Sequence, residues 1–157
     1  MNIQELYVSA QGDREFREIA DALEAATRYA DQEVIIHIAP GTYRERLVVH
    51  QDNISMIGED ASTTRITYSD GAFEVLADGE KRGTFRTPSF FIDADHFYAD
   101  NLTFCNEAGQ GDIAGQALAV YADGDHLVFE NCRFEGYQDT LFTAPLPKKE
   151  MQPGGFR

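Results

Sequence analysis

Asp95-His96-Phe97-Tyr98-Ala99-Asp100-Asn101-Leu102-Thr103-Phe104 and Asp125-His126-Leu127-Val128-Phe129-Glu130-Asn131-Cys132-Arg133-Phe134 are two copies of one pattern. The offset, 125 − 95, is 30 residues, and Asp, His, Asn and the final Phe are identical in both copies. Each copy alternates apolar and polar residues, breaks at Asn, then resumes. Alternation is the period of a strand with one buried face. Repetition of such strands, with no long helix between them, selects a β-solenoid over a sandwich. Asn101 and Asn131 suit its corners, because Asn tolerates a left-handed backbone and bonds its own chain. At one register like stacks on like: Leu102 on Cys132, and Phe104 on Phe134. His96 and His126 share a register too, which reads as a structural corner rather than as catalysis.

Upstream, the same rhythm continues. Leu6-Tyr7-Val8 is a short strand, Val34-Ile35-Ile36-His37-Ile38 a buried one rich in β-branched residues, and Tyr43 to Val49 the next. Ile54 to Gly58 and Arg65 to Tyr68 follow at short intervals. His37 is a strand residue with no chemistry assigned. Only one segment changes period. Asp13 stands at an N-cap position, and Phe16, Ile19, Ala20, Leu23, Ala26 and Tyr29 or Ala30 follow at helical spacing. The spacing predicts a helix over about 14–30 whose single apolar stripe covers the first coil. The fold class is therefore all-β: a solenoid with an N-terminal capping α-helix, one domain over 1–157, with coils over about 34–143 and a loop-like tail over 144–157. Two segments leave the coils. Residues 69–83 form a polar, glycine-containing loop or hairpin around Phe73, Val75 and Leu76, and 106–115 is a loop that delivers Gln116.

Composition narrows the function. The 157 residues are 43% hydrophobic and 11% aromatic, enough for one packed core. No apolar run approaches the ~20 residues that span a bilayer. The start, Met1 to Tyr7, lacks the basic and apolar regions of a signal peptide. As written the chain reads as cytoplasmic, and as secreted if a leader has been removed. A net charge of −14 and a pI near 4.5 argue against nucleic acid and anionic membranes as partners. Cys105 and Cys132 are too few for a disulfide framework, and with four scattered His they make no zinc-ligand spacing. They read as small buried hydrophobes, and no metal or cofactor is expected.

One stretch carries candidate chemistry: Phe134-Glu135-Gly136-Tyr137-Gln138-Asp139-Thr140-Leu141-Phe142. The Asp139 carboxyl can give or take a proton at a reacting oxygen. The adjacent Gln138 amide can donate to an oxygen that becomes negative during ester cleavage. Gly136 permits close approach. The same residues are ordinary turn formers, and spacing alone favours the turn.

Gly136 to Leu141 resembles the first catalytic motif of the pectin methylesterases (pectinesterases), carbohydrate esterases that demethylate pectin. Four further segments resemble that family in the same order: Pro40-Gly41-Thr42-Tyr43-Arg44-Glu45; Ile57 to Asp60 with Thr64-Arg65-Ile66; Asn101 to Gly109; and Gln116 to Val120. The resemblance runs from about Phe16 to Phe142 and implies a right-handed parallel β-helix. It implies a reaction using two aspartates and no metal, on pectin or a methylated oligogalacturonide. One carboxylate attacks the ester carbonyl, and the other protonates methanol and then activates water. By position, Asp139 matches the acid/base aspartate, Gln138 the oxyanion glutamine and Gln116 a second cleft glutamine. Thr84 and Thr87 fall where the family has a threonine-containing cleft segment, and they also read as plain strand residues. Tyr137 is a candidate for stacking on a sugar ring. On this reading the negative charge favours neutral, esterified stretches over the acidic product.

The resemblance covers roughly the first half of the family pattern. Its G-x-V-D-F nucleophile motif and its later arginine segment do not occur before Arg157. Little or no activity is expected of these residues alone, which read as a piece cut from a longer enzyme or a shortened gene product. A solenoid truncated at its C-terminal end exposes strand edges, so self-association through that end is expected. The alternative is a non-catalytic carbohydrate-binding β-helix in which Tyr137 and Phe142 stack on sugars. A lyase needs clustered acids for calcium and a glycosidase a close carboxylate pair; the lone Asp139 supports neither.

Overall fold

The computed structural model describes residues 2–145. Thirteen strands wind into three parallel sheets. The first sheet runs β1 (Ile3–Val8), β2 (Glu33–Ile38), β5 (Ile54–Gly58), β8 (Tyr98–Asp100), β11 (Val128–Glu130). The second runs β3 (Gly41–Arg44), β6 (Thr64–Tyr68), β9 (Thr103–Asn106), β12 (Arg133–Glu135), and the third β4 (Leu47–Val49), β7 (Phe90–Asp93), β10 (Val120–Asp123), β13 (Leu141–Thr143). Each coil contributes one strand to each sheet, which is the parallel β-helix expected.

Register follows from which side chains must leave water. Leu6, Ile36, Met56, Ala99 and Phe129 line up across the first sheet. Tyr43, Ile66, Phe104 and Phe134 do so across the second, and Leu47, Phe90, Val120 and Leu141 across the third. Phe90 bridges the core, with ring centroids 4.9 Å from Phe104 and 5.7 Å from Phe97. The repeat offset holds: Phe104 stacks on Phe134 at 5.8 Å. Asn53, His96, Asn101, His126 and Asn131 all take positive φ at corners. His96 and His126 stack at 4.8 Å, so they are corner residues as read. Beside them the Asp52 carboxylate accepts from Asp95 N at 2.8 Å and Asp95 from Asp125 N at 2.7 Å, locking that corner coil to coil. His37 stacks on Tyr7 and bonds Glu5 across β1 and β2.

Several boundaries differ from the sequence reading. The helix α1 is Ile19–Ala26, followed by a 3₁₀ turn at Thr27–Tyr29. Asp13 is not its N-cap; its carboxyl is held below the ordinary range by Ser9. Residues before α1 form turns and bends, and Phe16 bridges to Val8 through Ser9 N to Phe16 O at 2.8 Å and Phe16 N to Tyr7 O at 3.0 Å. Ile19, Ala22 and Ala26 are buried, whereas Ala20 and Ala30 are exposed. The cap comes from far along the chain: Glu45 accepts from Ile19 N at 2.9 Å and Ala20 N at 3.0 Å. A carboxylate suits the unsatisfied N–H groups of a helix start. Burial pushes the Glu45 carboxyl up, opposed by those two bonds.

That bond also explains why Tyr43 to Val49 is not one strand. The chain turns at Glu45 and Arg46, sending β3 and β4 to different sheets. Three consecutive charged residues, Arg44, Glu45 and Arg46, mark that corner in the sequence. Part of the 144–157 tail lies outside the described residues. We predict that Glu45→Ala lowers stability by about 1–2 kcal/mol, as for loss of a cap, while Asp13→Ala, at an exposed position, loses less. Urea denaturation of both variants tests this; equal losses would contradict it.

Candidate active site

One corner of the helix, between the second and third sheets, is treated differently in every coil. In the first coil it is the short turn at Glu45 and Arg46. In the second it opens into residues 69–89, where Val75 and Lys81 form an antiparallel bridge and Thr84–Arg86 a 3₁₀ turn. In the third it opens into residues 107–119, with one helical turn, α2, at Gly111–Ala114. In the fourth it is the bend at 136–140. Successive coils therefore bring Thr84, Gln116, Gln138 and Asp139 to one edge.

Hydrogen bonds fix that edge. Thr84 Oγ1 donates to Gln116 Oε1 at 3.4 Å, a long contact. Ala117 N donates to Gln138 O at 3.1 Å, and Ala119 N to Thr140 O at 2.8 Å, so the Gln138 bend rides on the segment that follows Gln116. Gly111 packs against the Gln138 amide, where a β-carbon would collide with Oε1. Asp139 is exposed with φ 57, a left-handed backbone that Asp tolerates. The turn reading holds, and the bend leaves the Asp139 carboxylate exposed. Tyr137 is 58% exposed and joins this group by no hydrogen bond or ring contact among the described residues. Thr84 and Thr87 are not strand residues. Thr87 is buried, donates to Thr84 O at 2.6 Å and accepts from Leu118 N at 2.9 Å. Among the described residues no three His, Cys, Asp or Glu side chains gather as metal ligands.

Two features were missed in the sequence. The first is an aromatic ladder on the outer face of the third sheet. Val48, Phe91, Tyr121 and Phe142 share one register. Phe91 stacks on Tyr121 at 4.6 Å, Tyr121 meets Phe142 at 5.0 Å, and Phe85 packs edge-on at 5.1 Å from Phe142. Burial, then Asp123 and Asp93, push the Tyr121 phenol up. Alternation in Val120-Tyr121-Ala122 and Leu141-Phe142-Thr143 was the available signal, since it aims the aromatics outward.

The second is Asn106. Its buried Nδ2 lies 3.0 Å from Asp70 O, 3.1 Å from Thr87 O and 3.0 Å from Leu118 O, while Oδ1 accepts from Ala108 N at 2.9 Å. One amide thus ties together the bases of both loops and the strand that follows Gln116. Asp70 is pinned from outside by Arg82 at 3.6 Å and Arg46 at 3.7 Å, and Arg82 also bonds Glu74 at 3.0 Å.

The sequence and the fold have known counterparts. The pectinesterase family model matches residues 5–146. The chain belongs to the pectinesterase family. It is 43% identical over 117 residues to pectinesterase QRT1 of Arabidopsis thaliana, covering 71% of this chain and 31% of that protein. It is 31% identical to pectinesterase 31 of the same plant, covering 86% and 44%. Among solved structures, a pectin methylesterase in complex with a hexasaccharide superposes with a TM-score of 0.80 at 29% identity, over 91% of this chain and 46% of that one. Carrot pectin methylesterase gives 0.77 at 29%, over 87% and 41%. The chain thus spans less than half the length of these relatives.

We predict that Asn106→Ala costs about 2–4 kcal/mol, because it strands buried carbonyls. Asn106→Asp costs at least as much, since it points an acceptor at three carbonyl oxygens. A change below about 0.5 kcal/mol in urea denaturation would contradict this role.

Proposed function

We propose that this protein takes part in hydrolysis of galacturonate methyl esters in pectin, releasing methanol, with Asp139 as general acid and base. The observation that carries the reading is the convergence of Asp139, Gln138, Gln116 and Thr84 at one corner beside an aromatic ladder, in a chain of pectinesterase sequence and fold. Gln138 and Gln116 supply amide N–H donors for the oxygen that becomes negative when the ester carbonyl is attacked. Asp139 gives its proton to departing methanol and then takes one from water, closing the cycle. The aromatic faces of Tyr121 and Phe142 hold sugar rings, and Tyr137 at the bend borders the same path. The attacking carboxylate is a second aspartate, in keeping with the family pattern; the motif that carries it does not occur between residues 1 and 157. A pectin oligomer as ligand is supported by the hexasaccharide complex of a related pectin methylesterase.

Methanol release from methylated pectin, measured on the protein that contains this sequence, tests the assignment. Asp139→Asn is expected to lower turnover by about 10²–10⁴-fold while leaving oligomer binding and stability unchanged, because Asn accepts the same backbone. Retained turnover would contradict the role, and binding lost together with turnover would favour a carbohydrate-binding module.

Self-association is part of the same proposal. β11, β12 and β13 end the three sheets, and Leu127, Phe129, Cys132 and Phe134 are only partly buried there. Light scattering of residues 1–157 is expected to show a mass that grows with concentration; a constant monomer mass would contradict it.

A further inference from the structure

We infer that Gly111 is a positioning residue for ester cleavage: α2 holds it against the Gln138 carboxamide, and its bare Cα sets where that amide stands. The inference rests on the proposed function for the role of Gln138 and adds what keeps Gln138 in place.

Gln138 is exposed, and its side chain makes no hydrogen bond among the described residues. An oxyanion donor must nevertheless stand about 2.7–3.1 Å from the position the oxygen will take. A flexible side chain without a partner does not hold such a position by itself. What holds it is shape. A β-carbon built on Gly111 would collide with Gln138 Oε1 and lie 3.0 Å from Cδ and 3.2 Å from Cβ of the same side chain. The carboxamide therefore fills the space that a side chain at 111 would take.

The backbone at 111 gives no reason for glycine. Gly12, Gly79, Gly83, Gly109 and Gly115 take positive φ, and Gly111 does not. It opens a helical turn, where every residue but proline is the better helix former. The requirement comes from the neighbouring coil, through Gln138.

α2 is built as a strut rather than as part of the core. None of its residues is buried, and four residues are too few to stay helical alone. The 69–83 loop holds it: Phe73 N donates to Ala114 O at 2.9 Å and Ala72 N to Gln116 O at 2.9 Å. The Phe73 ring lies on Gly115, where a β-carbon would stand 2.8 Å from Cδ1, and Lys81 Nζ is 4.4 Å from the ring centroid. Gly115 N closes the turn onto Gly111 O at 2.9 Å. One turn thus reaches both glutamines. Gly111 meets the Gln138 side chain, and Gly115 leads into Gln116, whose Oε1 accepts from Thr84. The spacing of the two amides is set by α2.

Two measurements test the role. In this chain, nuclear Overhauser contacts are expected between the Gln138 side chain and the Gly111 Hα protons. In the protein that contains this sequence, methanol release from methylated pectin is followed for Gly111→Ala, with thermal unfolding to check that each variant folds. The variant is expected to lower kcat about 10–100-fold, since a misplacement of about 1 Å costs on the order of 10²-fold, while KM changes less than about twofold. In a Gln138→Ala background the same change is expected to have no further effect, because the amide it acts through is gone. Gly79→Ala is the control: φ is 84, nothing lies within 4 Å of the added β-carbon, and the strain is expected to lower stability and leave kcat unchanged. No contact in the unaltered chain, an unchanged kcat for Gly111→Ala, or an equal loss in both backgrounds would overturn the positioning role. If Gln138→Ala alone still loses turnover, such a result leaves the proposed function standing. If the unaltered protein releases no methanol, both fall.

Discussion

The Asn106 carboxamide is the constraint on which the open corner depends. A parallel β-helix is stabilised coil by coil, and each coil touches only its neighbours. A long loop leaving one coil has no ladder to hold it, and its backbone groups must be satisfied individually. Asn106 does this for two loops at once, donating to Asp70, Thr87 and Leu118 carbonyls from a single buried side chain. Thr87 extends the network through its hydroxyl to Leu118 N. The strand that presents Gln116 and the turn that presents Thr84 are thereby fixed to each other, although 32 residues separate them.

The two kinds of corner show how one scaffold divides stability from function. Where the Asp52, Asp95 and Asp125 column runs, the Asp52 and Asp95 carboxylates each serve the next coil, Asp125 accepts from His126 N, the chain turns tightly, and His96 stacks on His126. At the other corner every coil inserts something different, so unlike side chains are stacked at one edge. Stacking then converts sequence distance into a linear array: Thr84 at the second coil, Gln116 at the third, Gln138 and Asp139 at the fourth. An elongated polymer is the ligand shape such an array fits.

The stacked coils were legible because register is written twice in the sequence, in the Asp-His…Asn…Phe repeat, and because strand alternation survives in short elements. Gln116, Gln138, Asp139 and Thr84 were legible through resemblance. What escaped was set by long-range contacts. The start of α1 depends on Glu45, 26 residues from Ile19, and local helical spacing extended the helix into residues that instead pair with β1. The corner inside Tyr43 to Val49 was marked by the charged run Arg44-Glu45-Arg46, which the reading as one strand passed over. Asn106 read only as the first residue of a loop. Its role exists only once the two loop bases meet in space. Phe142 was read with Tyr137 as an aromatic of the motif, but its stacking with Tyr121 and Phe91 appears only when the third sheet assembles.

The central claim is that a single corner, assembled from four coils, is where the polymer lies. Chemical-shift mapping of the backbone amides of this chain with a methyl-esterified oligogalacturonide tests it most directly. The account predicts that perturbations cluster at Thr84, Gln116, Tyr121, Gln138, Asp139 and Phe142. Perturbations centred on the Asp95 and His126 corner, or spread evenly over the three sheets, would contradict it.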